Sequence, residues 1–212
     1  MKHRSLGQWG IRLALLLLGL TIAHLGVTLF LQSGLGSDPF SVLIQGISLR
    51  VGLSFGTVHV IALCALAVAM LLTTRGYVLP GTVVCAFCGG PIIDGFTALL
   101  GGFVNPAMAM PLRLVCSAAG CVILAAGMSL VIRSDAGTGP NDLVAVILTD
   151  KLKKFQFRWV RMACDGAFVL VGFLLGGTVG LGTVLAVALV GPAAQLAMPV
   201  SQRVVDRCTA GR

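Results

Sequence analysis

Apolar residues run in long blocks along this chain, and short polar or glycine-rich stretches cut the blocks at near-regular intervals. Residues 13–31 are almost continuously apolar, which predicts a first membrane-spanning helix. The next apolar run, 40–51, holds 12 residues. A bilayer core needs roughly 20, so this run predicts a half-helix, re-entrant or interfacial. Gly52 to Gly56 breaks it. A second span is expected over 57–74, closed by Arg75-Gly76. A third is expected over 77–100, with Pro80 near its start and Gly89-Gly90-Pro91 inside it. That triplet predicts a kink or interruption. After an uncharged loop the plan recurs, with spans at 112–132, 157–175 and 178–200 and a half-helix at 141–152. Gly182 and Gly191-Pro192 are expected to break the last span.

The recurrence has a fixed offset of 101 residues. Gly34-Leu35-Gly36-Ser37-Asp38-Pro39 has its echo at Asp135-Ala136-Gly137-Thr138-Gly139-Pro140. Arg12 falls on Arg113, Gly19 on Gly120, Gly26 on Gly127, and Gly90-Pro91 on Gly191-Pro192. Matched Gly and Pro carry the argument because they dictate backbone shape, whereas matched apolar residues would mean little in so greasy a chain. The chain therefore reads as one transmembrane domain, 1–212, made of two copies of one unit, about 11–100 and 112–201.

Composition agrees with an all-α polytopic membrane protein. The apolar fraction is 57%, charged residues make up 10%, and mean hydropathy is +1.01, well away from soluble domains. A cleaved signal peptide is rejected for the first block, since no small-x-small site follows and the block recurs at 113–133. The net charge of +8 comes from Lys and Arg at segment ends, a pattern that reports orientation and anionic lipid, not nucleic acid. Cys85-Ala86-Phe87-Cys88 has redox or metal spacing, yet no second pair or His completes a site.

Three spans per unit would turn the second unit upside down relative to the first. With the amino terminus inside, Lys2, Arg4, Arg12, Arg75, Arg133, Lys151, Lys153, Lys154, Arg158, Arg203, Arg207 and Arg212 all fall inside, and only Arg50 and Arg113 outside. The positive-inside rule thus favours six spans, an inverted repeat and cytoplasmic termini.

Inverted repeats with interrupted helices are a common build of carriers and of some channels. Ser37 or Asp38 is the expected cap of the first half-helix, with Pro39 at its first position, and Pro140 is its counterpart. The half-helix amino termini at Pro39 and Pro140, with Asp38 and Asn141 beside them, would present N–H donors to an anionic or carboxylate-bearing solute. Gly36 and Gly137 are expected to shape those turns. Asp94 and its mate Gln195 follow the matched breaks and are expected to face one polar cavity. Asp165 and Arg161, four apart, are expected to pair on one face, with Asp165 joining the same cavity. The plainer alternatives are that the loops only shape the fold, that Asp94 caps a broken helix, and that Arg161 snorkels while holding Asp165. His24 and His59 read as packing residues, and no metal site, cofactor or enzymatic constellation is legible.

The turn sequences already quoted, with Gly52-Leu53-Ser54-Phe55-Gly56-Thr57-Val58 and Gly176-Gly177-Thr178-Val179-Gly180-Leu181-Gly182-Thr183, resemble the YczE/YitT-like bacterial membrane proteins. Phe40 stands where that resemblance leads one to expect an aromatic residue, often Trp, and Asp165 where an acid, often Glu, is expected. The resemblance implies a bacterial inner-membrane protein and supplies no substrate. The expectation is a small carrier or channel for a polar or anionic solute, bound between the two units. The alternative is a non-transporting membrane protein that assists or regulates a partner. Partners beyond the bilayer and the solute, including a second copy of the chain, are left open.

Overall fold

The apolar blocks and their glycine boundaries appear as helices in the structure, a computed structural model that describes residues 6–74, 76–155 and 157–209. Among these residues there are eight helices and no strand. They are α1 (Leu6–Ser33), α2 (Pro39–Val51), α3 (Phe55–Thr73), α4 (Pro80–Leu100), α5 (Met110–Ser134), α6 (Pro140–Leu152), α7 (Phe157–Leu174) and α8 (Leu181–Thr209). Five of them, α1, α3, α4, α5 and α8, are long and apolar enough to cross a membrane. Helix α7 has 18 residues but carries Arg158, Arg161 and Asp165. Helices α2 and α6 have 13 residues each, about 20 Å of helix, too short for a bilayer core. Of the basic residues used to argue orientation, Lys2, Arg4, Arg75 and Arg212 lie outside the described residues, as does the side chain of Arg158.

The 101-residue offset reappears in the elements. Subtracting it from α6 returns the bounds of α2, and α5 and α8 each begin within four residues of the counterpart positions. The centre of the molecule is the α1–α5 pair, joined through glycine. A methyl group at Gly26 would sit 2.5 Å from the Leu124 nitrogen and 2.6 Å from the Gly120 carbonyl oxygen. One at Gly19 would sit 2.9 Å from the Gly127 carbonyl oxygen. Gly26 thus faces Gly120 and Gly19 faces Gly127, so α1 and α5 run antiparallel with their backbones in contact. Small residues permit this close approach, and bilayer-buried helices gain dispersion energy from it. Helix α4 packs on α1 and α3, and α8 packs on α5.

Each turn after a central helix seats on the opposite half. Gly36 (φ 103°) lies against Gly180 and Thr183 at the start of α8, and the Gly182 N–H donates to the Leu35 carbonyl at 2.7 Å. Gly137 (φ 144°) lies against Thr82 at the start of α4, and the Gly81 N–H donates to the Ala136 carbonyl at 2.9 Å. Positive φ together with neighbouring backbone leaves no room for a side chain at either position.

The interruption expected in α4 and the breaks expected in α8 are absent: α4 is continuous helix through Gly89-Gly90-Pro91, and α8, which begins at Leu181, through Gly182, Pro192 and Pro199. Each proline removes one i→i−4 bond, but the bonds on either side keep the helix continuous. Helix α8 also extends beyond the apolar run to Thr209, because its last turns are polar but still helical.

Candidate functional site

The amino termini of the two short helices define the site. At the first, Asp38 has extended backbone (φ −64°, ψ 158°) and its carboxylate accepts the Ser41 N–H at 3.2 Å, with Pro39 opening the helix. This is an N-cap with proline at the first helical position. At the second, Gly139 stands in place of the aspartate and makes no side-chain cap bond. There the acid is Asp142, in the first turn, where a carboxylate is favoured by the helix dipole.

Helix α7 brings the third part. The Arg161 guanidinium donates from Nη1 to Asp142 at 2.7 Å and from Nε to Asp165 at 3.0 Å. The Asn141 amide donates to the same Asp142 oxygen at 3.3 Å. Arg161 therefore binds two carboxylates from two helices. All three charged side chains are 27–32% exposed. Such a bridge between α6 and α7 holds the α6 amino terminus in place, and the planar guanidinium fork suits two acceptors at once.

These groups open onto a cavity of about 410 Å³, within the range of small-molecule sites. Its polar end carries Asp38, Ser41, Asn141, Asp142, Arg161 and Asp165. Its apolar walls come from α1 (Leu20, Ala23, Val27), α5 (Leu124, Met128, Val131) and α8 (Ala186, Val187, Val190). His24 and His59 also line it, with ring centroids 5.5 Å apart and edge-on. His24 Nδ1 lies 2.7 Å from the Leu20 carbonyl oxygen. His59 is 7% exposed and its Nδ1 has no hydrogen-bond partner among the described residues. Phe40 on the cavity wall packs edge-on against His59 and Phe168.

Of the residues singled out from the sequence, Asp165, Arg161, Asp38 and Asn141 line this cavity, with Pro39 and Gly191. Asp94 and Gln195 do not. Asp94 accepts the Gly56 N–H at 2.8 Å and the Ser54 hydroxyl at 2.6 Å, which ties the start of α3 to α4. It lies at a separate shallow surface pocket beside Thr57 and Pro91. Gln195 is exposed on α8. The 101-residue offset makes them counterparts in sequence, but among the described residues α4 and α8 share at most a marginal contact, and neither side chain lines the cavity. Gly90 serves close packing against Gly56, while Gly191 has open space beside it. Gly36, Gly137 and Pro140 shape the turns behind the cavity. Three more groups line the cavity: Asp142, and His24 and His59, which the sequence reads as packing residues. Asp142 sits two residues after Pro140, where an acid reads as an ordinary first-turn residue. His24 and His59 are 35 residues apart in sequence and nothing in either helix points to the other.

The whole chain bears comparison with known proteins. It is 28% identical to "Uncharacterized protein YyaS" of Bacillus subtilis over 188 residues, 88% of this chain and 92% of that one. It is 29% identical to an "Uncharacterized protein" of Haemophilus influenzae over 195 residues, 90% of this chain and 85% of that one. It is 24% identical to "Uncharacterized membrane protein YczE" of Bacillus subtilis over 214 residues, spanning 100% of this chain and 95% of that one. No solved structure matches it significantly. A family of unknown function, DUF6198, matches residues 10–199, from the start of α1 to the second proline of α8, and the chain belongs to that family.

Proposed function

We propose that this chain is a carrier for a small solute, with the solute held in the 410 Å³ cavity beside Arg161, Asp142 and Asp165. Six spans are proposed, α7 being the sixth. Arg161 and Asp165 line the cavity, so these two do not bar it from the bilayer. The two units are proposed to be inverted copies. The antiparallel α1–α5 contact and the matched turns at Gly36 and Gly137 support this. The observation that carries the functional reading is the convergence of both short-helix amino termini on one cavity with wall residues from both units. Carriers with inverted repeats bind at such discontinuous helices, and alternating access follows from rocking one unit against the other. We place the protein in a bacterial inner membrane with both termini cytoplasmic, on the charge asymmetry.

An anionic solute was the expectation from the helix ends alone. Asp38 and Asp142 now stand at those ends, and Asp38 takes the Ser41 N–H. The positive ends are answered internally, so they cease to favour an anion.

The test needs no knowledge of the solute. Asn141→Cys, in a variant without the seven native cysteines, is treated with a membrane-impermeant maleimide on right-side-out and inside-out vesicles. A carrier exposes the cavity to each side in turn, so labelling is expected from both. Labelling from neither side would end the carrier reading and favour a scaffold that serves a partner. Labelling from one side alone would also end it.

A further inference from the structure

The two units differ at one seam. In the first, α3 lies along α4, closed by the contact of Gly56 with Gly90 and clasped by Asp94, which holds the Gly56 N–H and the Ser54 hydroxyl. The residues 101 positions on are Phe157 for Gly56, Phe155 for Ser54 and Gln195 for Asp94. None of the three can rebuild the clasp, because the small residue, the hydroxyl and the carboxylate are all gone. Accordingly α7 and α8 share at most a marginal contact among the described residues, and Gly191 has nothing within 4 Å of where a side chain would begin. The cavity lies in the gap they leave. Met162 on α7 and Val187 on α8 line it, and they are also 62% and 72% exposed. The cavity therefore opens sideways, between two helices whose outer faces carry Leu170, Phe173 and Val184, all exposed.

At the inner end of this opening the acids outnumber the base, with Asp38, Asp142 and Asp165 around the one guanidinium of Arg161. Beside them His59 offers a buried ring nitrogen with no partner among the described residues, and Phe40 offers an aromatic ring. Carboxylates and an aromatic ring suit a positively charged group. The rest of the lining is aliphatic and suits an apolar body.

We infer that the α7–α8 gap is a lateral gateway through which an amphiphilic organic cation enters the cavity from the bilayer, its charged group lodging among Asp38, Asp142 and Asp165. This rests on the carrier reading for the cavity's purpose but is tested on binding. A solute of this class partitions into lipid before it meets protein, so a side entrance serves it where an aqueous vestibule would not.

The experiment uses two probes of nearly equal size and opposite charge, tetraphenylphosphonium and tetraphenylborate, on the purified full chain in lipid nanodiscs. With the heat of partition into empty nanodiscs subtracted, calorimetry should find saturable binding of the phosphonium and at least about tenfold weaker binding of the borate, since the probes differ in the sign of one charge held near carboxylates at low effective dielectric. Asp165→Asn removes one of those charges and should weaken the phosphonium about tenfold while leaving the melting temperature near that of the parent. A spin label at Val187→Cys should be accessible to oxygen, which partitions into lipid, and shielded from a water-soluble nickel chelate. The phosphonium should then reduce its oxygen exposure. Equal binding of both probes, or binding of neither, overturns the inference and leaves a carrier of some smaller hydrophilic solute standing. Nickel access at position 187 overturns the lateral route. Shielding from both reagents means that a second copy covers the gap, and this too overturns it. Should the phosphonium bind as expected but cross proteoliposome membranes no faster than protein-free liposomes, the carrier reading fails and the site remains.

Discussion

Arg113 at the start of α5 donates from Nε to the backbone carbonyl of Ser33, at the last turn of α1, at 2.7 Å. Its Nη2 donates to the Gly34 carbonyl at 3.1 Å. The counterpart, 101 residues earlier, is Arg12 at the start of α1, which donates to the carbonyl of Ser134 at the end of α5, also at 2.7 Å. Each central helix thus has its final carbonyls answered by an arginine of the other. Helix ends leave such carbonyls without intrahelical partners, and lipid offers none. Arg113→Ala should lower stability by about 2 kcal/mol, as loss of charge-assisted bonds to buried carbonyls does. Arg12→Ala should cost less, because Arg12 makes one such bond where Arg113 makes two. Denaturation in mild detergent checks the order. If both variants melt with the parent, the seam is held by its glycines alone.

Those glycines make the second prediction. Gly26→Ala and Gly127→Ala place a methyl into facing backbone and should destabilise by about 1–3 kcal/mol, the usual range for overpacking. Gly36→Ala should cost at least as much, for it adds a left-handed φ of 103° to a contact with Gly180 and Thr183. Gly10 lies in α1 with nothing within 4 Å. Gly10→Ala should therefore be neutral or slightly stabilising, since alanine is the better helix former. Fluorescence-detected size exclusion after heating ranks all four. A Gly26→Ala midpoint equal to that of Gly10→Ala would mean that α1 and α5 are looser than described.

Most of the helical plan was legible because apolar runs and Gly-Pro boundaries are local signals. The half-helices were readable from length alone. The match of Gly19 and Gly26 with Gly120 and Gly127 announced a repeat, and in the fold the same four residues form its central contact. The candidate site was legible only in part. Asp38, Arg161 and Asp165 carry charge where charge is costly, which marks them in any apolar sequence. Asp94 carries the same mark for another reason, since it binds backbone and hydroxyl donors at the start of α3. The 101-residue offset pairs Asp94 with Gln195 but says nothing of which helices their side chains meet. Asp142 joins the site through Arg161, 19 residues further on, and no local pattern encodes that bond.

Asp94 should accordingly behave as a structural residue. Asp94→Ala frees the Gly56 N–H and the Ser54 hydroxyl, and a lost cap costs about 1–2 kcal/mol. Ser54→Ala should cost a similar amount, because Ser54 is the N-cap that accepts the Thr57 N–H at 3.1 Å, and the double variant should cost less than the two singles combined, because they share one network. Thermal unfolding of the four proteins gives the coupling. Strict additivity would show that Asp94 and Ser54 act independently.

Orientation is open to direct measurement. Lys151, Lys153 and Lys154 close α6, and all three are exposed. A basic cluster of this kind is retained on the cytoplasmic side. Lys154→Cys, on a background free of native cysteines, should resist an impermeant maleimide in intact cells and react once the membrane is opened. Strong labelling in intact cells would reverse the topology and exchange the two faces of the cavity.

Arg161 gives the sharpest contrast between holding the fold and serving the cavity. Its guanidinium ties α7 to α6 through Asp142 and completes an i,i+4 pair with Asp165. Removing it leaves two carboxylates facing each other in an apolar cavity without their counter-charge. Breaking a buried pair from one side is costly, about 3–5 kcal/mol. The groups here keep 27–32% of their surface, so Arg161→Ala should fall at the low end of that range. Arg161→Lys restores the charge but not the fork, so it should recover only part of the loss. Asp165→Asn differs in kind. The asparagine oxygen can still accept from Arg161 Nε, and Asp142 still neutralises the guanidinium. Stability should change by about 1 kcal/mol, because a charge-assisted bond becomes a neutral one and is not left unmade, while the negative end of the cavity is weakened. Chemical denaturation of the three variants should therefore rank Arg161→Ala well below Arg161→Lys, and Asp165→Asn close to the parent. If Asp165→Asn instead unfolds as readily as Arg161→Ala, the two residues form one structural unit, and Asp165 loses its claim to bind a solute.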